Sequence, residues 1–225
     1  MSAIGRLNET ELHEQLKQIY AGETGLTEHD VEGFVVDVLR GDEVVEIQTR
    51  GLGKLRRKLV ALAVGHPVRV VYPVAAETII NKLSATGELL SSRRSPRKGR
   101  VEEVFGELVS LADLLPDPAI TVEVVLVRAV ETRMDDGRGS WRRHGVSIIA
   151  RALGGIVSTE TYRTAQDYLR ALPATLGPRF TNGDLIRESA LRYRHAQPVT
   201  SALRKMGLLR IVDKRGREQL YEIRR

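Results

Sequence analysis

Apolar side chains follow two different periods near the start of the chain. Leu12, Leu16 and Ile19 recur at helical spacing, which predicts a helix over residues 8–20. Apolar and polar residues then alternate between residues 31 and 49, as expected for the two strands of a β-hairpin. The apolar side chains expected on the buried face of this hairpin are those of Phe34, Val36, Val38, Val45 and Ile47.

A second helix and a further strand are predicted after the hairpin. Residues 52–64 have the sequence LGKLRRKLVALAV, in which Leu55, Leu59 and Leu62 share one face. Residues 68–74 are nearly all apolar, which is typical of a buried strand. The order helix, hairpin, helix and strand predicts an α/β fold.

The middle of the chain is predicted to extend this first domain up to residue 157. Residues 91–100 contain no apolar residue, which predicts a basic surface loop. Residues 101–115 carry an apolar stripe at helical spacing, and residues 120–132 alternate in the manner of a strand. Trp141 stands among basic residues and could stack on a base, but a lone Trp beside a turn is more often a packing residue.

Residues 158–225 are predicted to form a second domain, in which helices precede a hairpin. Thr181 is the expected N-cap of one helix, and Pro198 lies where the first turn of the next helix tolerates proline. Gly207 is expected to end that helix. The predicted elements are helices over residues 164–172, 181–189 and 197–207 and strands over residues 208–212 and 219–223, around the basic turn DKRGR.

Composition excludes several classes of protein. The chain has no cysteine, which rules out disulfides and thiolate zinc sites. No apolar run is long enough to span a membrane, and the first residues, MSAIGRLNET, lack the apolar core of a signal peptide. We therefore expect a cytoplasmic location and no contact with a membrane.

Charge is unevenly distributed along the chain, whose net charge is +6. Residues 1–90 carry 10 basic and 13 acidic side chains, whereas residues 158–225 carry 14 basic and 7 acidic ones. A basic module suits a partner rich in phosphates, because neutralised phosphates release their counterions. Basic surfaces also occur for solubility alone, so charge favours nucleic-acid binding without establishing it.

The turn inside the hairpin determines which side chains face each other. A two-residue loop, Gly41-Asp42, suits a type II′ turn and places Asp37 opposite Glu46, with Gln48 on the same face. Facing carboxylates repel unless a cation lies between them, and hard cations such as Mg²⁺ or Mn²⁺ bind carboxylate oxygens. Removing Asp37 is then expected to leave the metal-free protein unchanged or more stable. The alternative is a strand whose acidic side chains are merely hydrated.

These three residues and the element order resemble the core of the PD-(D/E)XK nuclease superfamily over roughly residues 8–83. That family has an Asp on one strand and Glu-x-Lys on the next, and Gln48 stands where lysine is usual. The resemblance implies a restriction-endonuclease-like mixed sheet with flanking helices and a metal site formed by Asp37 and Glu46. It also implies phosphodiester hydrolysis in which Gln48 orients the attacking water.

Three further residues lie on the first helix, where they could approach this site: Glu11, His13 and Glu14. The sequence does not choose among them, and each is also compatible with a hydrated helix surface. The runs EIQT and VRVVYP are in addition similar to a group of uncharacterised bacterial proteins. That similarity implies no function.

The C-terminal pattern resembles the winged helix-turn-helix family, and the phrase SALRKMGLL followed by a basic hairpin carries the resemblance. In that family the second helix of the motif enters the major groove of DNA and the hairpin, or wing, contacts the backbone or minor groove. His195 lies in the same region. The residues that the resemblance implies near DNA are Arg192, Arg194, Gln197, Thr200, Ser201, Arg204, Lys214, Arg215 and Arg217.

Two functions follow as expectations, both with DNA as the partner. One is a Mg²⁺- or Mn²⁺-dependent endodeoxyribonuclease with Asp37, Glu46 and Gln48 as catalytic residues. The other is a non-catalytic DNA-binding regulator on an inactive nuclease-like scaffold. Some winged helices serve only protein interaction, and the sequence leaves open whether the chain forms a homodimer.

Overall fold

The computed structural model describes residues 7–189 and 191–224, which divide into two compact units. The first unit comprises the chain up to residue 49 together with residues 71–101 and 124–160, and the second comprises residues 50–70, 102–123 and those from Thr161 onward. The division predicted at residues 157 and 158 falls close to the last change of unit. No helix in the described part of the chain is long and apolar enough to cross a membrane.

The first unit begins with a helix and three antiparallel strands. Helix α1 spans Leu7–Ala21, as predicted, and strands β2 (Phe34–Arg40) and β3 (Glu43–Ile47) form the predicted hairpin. Strand β1 (Leu26–Val31) pairs with β2 and was not predicted, because its mostly polar sequence, LTEHDV, lies exposed at the edge of the sheet. Ile19, which shares the helical spacing of Leu12 and Leu16, is 51% exposed.

Four further strands complete the large sheet: β4 (Val68–Leu83), β5 (Leu89–Arg94), β6 (Ile120–Asp135) and β7 (Val146–Tyr162). The strand order is β1-β2-β3-β4-β6-β7, and β5 pairs with β4. The fold is therefore α/β, with a large mixed sheet and flanking helices, as predicted at that level.

Strand β5 corrects the first part of the loop predicted over residues 91–100, and residues 95–100 remain outside any helix or strand. Ile80 of β4 pairs with Arg93, and Ile79 pairs with Arg94, so the backbone of this polar segment is paired through the sheet. All its side chains are exposed, which explains the absence of the alternation that marks a half-buried strand. Polar and basic side chains are usual on edge strands.

Apolar packing holds α1 against the sheet. Leu12, Leu16 and Ala21 of the helix form one buried cluster with strand residues. Truncating a leucine in such a cluster costs about 2–5 kcal/mol, so packing rather than helix propensity fixes this element. The strand residues in the cluster are Val38, Val45, Ile47, Val71, Val125 and Val127.

The second unit starts with short helices. A 3₁₀ turn, Leu52–Leu55, leads into α2 (Arg56–Leu62), which together match the helix predicted over residues 52–64. The helix predicted over residues 101–115 is wrong in its length, because only α3 (Val104–Leu108) is α-helical. The Ser110 hydroxyl and N–H both donate to the Glu107 carbonyl, and this local bonding competes with a continuous helix.

The remaining elements of the second unit follow in an unbroken run along the chain. A capping box between Thr164 and Asp167 starts the first of them, and Thr181 is the N-cap of the next helix, as predicted. The short strand joins the final hairpin in a sheet of order β8-β10-β9. The elements are α4 (Ala165–Leu169), β8 (Arg179–Phe180), α5 (Asn182–Ser189), α6 (Tyr193–Lys205), β9 (Leu209–Arg215) and β10 (Glu218–Ile223).

Helix α6 begins four residues before the predicted start at Gln197. Arg192 is its N-cap residue, and the Ala196 N–H already donates to the Arg192 carbonyl. Pro198 therefore lies inside the helix rather than at its first position. Ala196 is fully buried, and burial of this side chain favours the longer helix despite the N–H that proline lacks. Gly207, at φ 78°, follows the helix as predicted.

Candidate functional site

Strands β2 and β3 pair in the register that the turn predicts. Gly41 has φ 58°, as the first position of a type II′ turn requires, and the pairs continue to Val38 and Val45. Beyond them the Asp37 N–H donates to Glu46 Oε1 at 3.3 Å. The predicted proximity of Asp37 and Glu46 is confirmed.

The Asp37 carboxylate accepts hydrogen bonds from two other groups of the first unit. Its Oδ2 lies 2.7 Å from the Ile47 N–H nitrogen and 3.2 Å from His13 Nε2. The hydrogen bond to Asp37 raises the pKa of His13 above its ordinary value of 6.5, although burial of the ring acts in the opposite direction. One carboxylate oxygen of Asp37 thus binds both the backbone of the neighbouring strand and a side chain of α1.

Of the other candidate residues, Glu46 contacts Asp37, whereas Gln48 and Glu14 have partners elsewhere. Glu46 is buried, with an exposed fraction of 4%, and the Gln48 N–H donates to the Val71 carbonyl at 2.9 Å. Glu14 forms an ion pair with Lys17 at 2.8 Å. Among the three α1 residues that the sequence left open, it is His13 that contacts Asp37.

One oxygen of each carboxylate in the Asp37–Glu46 pair already accepts a hydrogen bond, which makes the pair a poorer ligand set for a divalent cation. Mg²⁺ requires near-octahedral oxygen ligands, yet Asp37 Oδ2 and Glu46 Oε1 accept hydrogen bonds from backbone N–H groups. An imidazole beside Asp37 adds positive charge when protonated, which opposes a second cation. Within the described part of the chain, no group of three or more His, Cys, Asp or Glu side chains is arranged to hold a metal ion.

In the second unit, α6 presents one polar face to solvent. Arg194, Gln197 and Arg204 are exposed and Ser201 is half-buried, at spacings that place all four on the same side of a helix. Arg192 is exposed at the start of the helix. No Asp or Glu occurs in Tyr193–Lys205, so the face is polar and basic.

Thr200 was predicted to lie near DNA, and its burial makes that prediction wrong. Its exposed fraction is 1%, and its hydroxyl lies 2.9 Å from Asn182 Oδ1 and 3.1 Å from the Gln197 carbonyl oxygen. The Thr200 hydroxyl therefore links α6 to α5 through a hydrogen bond. Thr200 directly precedes Ser201 in the helix, and this one-residue offset turns its side chain away from the exposed face of α6.

The turn between β9 and β10 carries the predicted basic side chains, and one of them is paired. Arg215 Nη1 donates to Asp184 Oδ2 at 2.7 Å. The Thr181 N–H and the positive charge of Arg215 lower the pKa of the Asp184 carboxyl, against the effect of burial. Lys214 and Arg217 are exposed, and neither has an ion pair with a residue that the structure describes.

A basic hollow that the sequence analysis did not predict lies in the first unit. Its volume is about 290 Å³, and its lining contains no carboxylate. It forms where β4, β5 and β6 approach the connection between β6 and β7. Its basic lining consists of Lys82, Arg93, Arg133, Arg142, Arg143 and His144, and we call this the basic hollow.

Trp141 adjoins the basic hollow and does not pack into a core. Its exposed fraction is 81%, and the guanidinium carbon of Arg142 lies 5.5 Å from the ring centre. The expectation that Trp141 is a packing residue is wrong. The run Trp141–Arg143 is followed by His144, and this local basic sequence is the one signal that could have indicated the site. The arginines of β5 and β6 join it only through strand pairing.

Comparisons with known proteins place the chain in a family. The family described as "Domain of unknown function (DUF8091)" matches residues 10–163. An "Uncharacterized protein" of Treponema pallidum (strain Nichols) is 31% identical over 219 residues, which cover 97% of this chain and 86% of that protein. No solved structure matches. The chain therefore belongs to the family described as Domain of unknown function (DUF8091).

Proposed function

We propose that this protein binds duplex DNA without cleaving it, and that α6 and the β9–β10 hairpin form the contact surface. The order of elements supports the proposal: two helices, α5 and α6, precede a two-stranded hairpin, as in the winged helix-turn-helix family. In this proposal α6 lies in the major groove, and the hairpin lies along the backbone or minor groove.

The polar face of α6 is the observation that carries the proposal. Arginine can donate two hydrogen bonds to guanine, and glutamine can pair with adenine, so Arg194, Gln197 and Arg204 suit base edges. The opposite face is anchored, because Val199 and Leu203 are fully buried. A rigid helix with polar side chains toward solvent provides the fixed geometry that base recognition needs.

Charge supports the same partner. Residues 158–225 carry 14 basic and 7 acidic side chains, and the acidic ones include Asp184 and Glu222, which pair with arginines. Lys214 and Arg217 at the hairpin are exposed and suit phosphate contacts. Binding to DNA should therefore weaken steeply as salt rises.

The decisive experiment is a binding titration of the full chain with duplex DNA, monitored by fluorescence anisotropy. Arg204→Ala should weaken binding by about tenfold to a hundredfold, which corresponds to about 1–3 kcal/mol for one arginine that pairs with a base. Arg170→Ala is the matched control, because Arg170 is an exposed arginine that pairs with Asp167 near α4. Equal weakening in both variants, or no binding at low salt, would contradict the proposal.

The nuclease resemblance supplies the catalytic alternative, and it stays a prediction. The contacts of Asp37 and Glu46 favour the non-catalytic form, since their oxygens accept backbone hydrogen bonds. Plasmid and branched DNA should be incubated with the full chain and Mg²⁺ or Mn²⁺. Cleavage that disappears in a folded Asp37→Asn variant would establish the nuclease and overturn the non-catalytic proposal.

A further inference from the structure

The basic hollow of the first unit carries excess positive charge. Lys82 is paired with Asp135 at 2.6 Å, and the charge of Arg133 is balanced by Glu131 at the same distance. Arg93 is exposed on β5. Within residues 7–189 and 191–224, no ion pair is formed by the other arginines of the hollow, which are Arg93, Arg142 and Arg143.

Glu131 fixes one wall of the hollow. Its side chain is only 7% exposed and binds Arg133 at 2.6 Å and Arg151 at 2.7 Å. Burial opposes ionisation, but hydrogen bonds from Arg151 and Arg133 outweigh it and lower the pKa of the Glu131 carboxyl. The carboxylate is thus occupied by two arginines, and it leaves the remaining cations of the hollow uncompensated.

The connection that presents Trp141 is held by its own backbone. The Gly139 N–H donates to the Gly145 carbonyl at 2.7 Å, and the His144 N–H donates to the Trp141 carbonyl at 3.0 Å. A side chain at Gly139 would collide with the backbone carbonyl of Val146, so the close approach requires glycine. A turn that is already ordered loses little entropy when a ligand binds to it.

We propose that the basic hollow and Trp141 bind a segment of single-stranded nucleic acid, with phosphate in the hollow and an unpaired base stacked on the indole. Cations that lack carboxylate partners suit a phosphate backbone, and an exposed aromatic ring suits the face of a base. This surface lies in the first unit, and the proposal does not depend on duplex binding by α6.

Trp141 is the feature that selects a single strand over other anions. The bases of a duplex are stacked on one another, so their faces are not accessible to an indole ring, whereas an unpaired base can be stacked on it. Inorganic phosphate or an acidic peptide would engage the arginines but would not stack on the exposed indole. The adjacent guanidinium of Arg142 lies over the indole and adds a cation beside the stacking surface.

The sequence provides a direct probe, because Trp141 is the only tryptophan in the chain. Titrating the full chain with single-stranded oligothymidylate should quench its intrinsic fluorescence in a saturable manner. The apparent affinity should fall as salt rises, with a slope of about −0.7 per phosphate contacted. Absence of quenching at low salt would overturn the proposal.

Variants separate the stacking contribution from the charge contribution, and a labelled oligothymidylate reports binding by anisotropy. Trp141→Ala should weaken binding by about fivefold to a hundredfold, and Trp141→Phe should restore part of the affinity. Arg93→Ala should weaken binding and reduce the salt slope by about 0.7. Arg40→Ala is the matched control, since Arg40 is an exposed arginine on β2 of the same unit, and it should leave both unchanged.

Three competitors complete the test. Duplex DNA of the same length, inorganic phosphate and oligoglutamate should each fail to reproduce the quenching at concentrations where oligothymidylate saturates. Equal quenching by any of them would overturn the single-strand assignment. Arg204→Ala should leave the quenching unchanged, so that failure of this proposal and failure of the duplex proposal give different results.

Discussion

At the scale of single residues, backbone hydrogen bonds change what two acidic side chains contribute. Facing carboxylates at Asp37 and Glu46 should repel, and the sequence suggested a cation between them. In the structure Asp37 instead accepts from the Ile47 N–H, and Glu46 accepts from the Asp37 N–H. The register that brings Asp37 and Glu46 together was predictable from the turn. Their backbone partners were not, because they depend on where the regular pairing of β2 and β3 ends, which is after Val38.

Asp37→Ala should therefore lower the free energy of unfolding by about 1–3 kcal/mol, because the substitution leaves a backbone N–H and His13 without their acceptor. This direction is opposite to the one that carboxylate repulsion alone suggests. Urea denaturation without added metal measures it. Glu11→Ala, at an exposed acidic residue of α1, is the control and should change stability by less than about 0.5 kcal/mol. A more stable Asp37→Ala variant would show that repulsion dominates.

The pair of His13 and Asp37 should also make stability depend on pH. The pKa of His13 is raised in the folded state, so its stabilisation is fully present below the ordinary value of 6.5 and is lost as pH rises through the higher folded value. The difference in unfolding free energy between wild type and His13→Gln should shrink over that range. Denaturation at a series of pH values tests it, and a difference that grows with pH would contradict the assignment.

At the scale of elements, strong apolar periods were predictive and weak ones were not. The hairpin of β2 and β3 and the helix α1 follow from alternation, helical spacing and the glycine turn. All the side chains of strand β5 are exposed, including those of Leu89 and Leu90, so its pairing with β4 leaves no alternation in the sequence. The early start of α6 was also not predictable from local sequence, because it depends on burial of Ala196 against other segments.

The basic residues at the tip of the β9–β10 hairpin should contribute unequally to the affinity for DNA. Replacing Lys214 and Arg217 by alanine should flatten the dependence of log K on log salt by about two units, one for each phosphate that is no longer neutralised. Adding Arg215→Ala should flatten it by less than one further unit, because Asp184 already neutralises part of that charge. Arg170→Ala with Arg40→Ala is the matched control, because both are exposed arginines that lie outside the β9–β10 hairpin and pair with a carboxylate. An unchanged slope in the hairpin variants would remove the hairpin from the interface.

At the scale of the whole molecule, each of the two units is built from segments that are separated in the sequence. Residues 50–70 and 102–123 group with the residues from Thr161 onward. The Phe105 ring meets Tyr162 edge-on at 5.7 Å, and Lys205 of α6 donates to the Val109 carbonyl at 3.2 Å. Such pairing between distant segments has no local signature, which is why the order of predicted elements suggested two sequential domains.

This arrangement predicts that residues 158–225 do not fold alone. Phe105 and Leu108 of α3 are fully buried in the second unit, and losing even one such side chain costs about 3–5 kcal/mol, against a typical total stability of about 5–15 kcal/mol. The isolated fragment should lack a cooperative thermal transition by circular dichroism and should bind duplex DNA more weakly than the full chain. In the full chain, Phe105→Ala should lower the melting temperature, while Val60→Ala, at an exposed position of α2, should not. A fragment that melts cooperatively and binds DNA as tightly as the full chain would show that these residues form an autonomous domain.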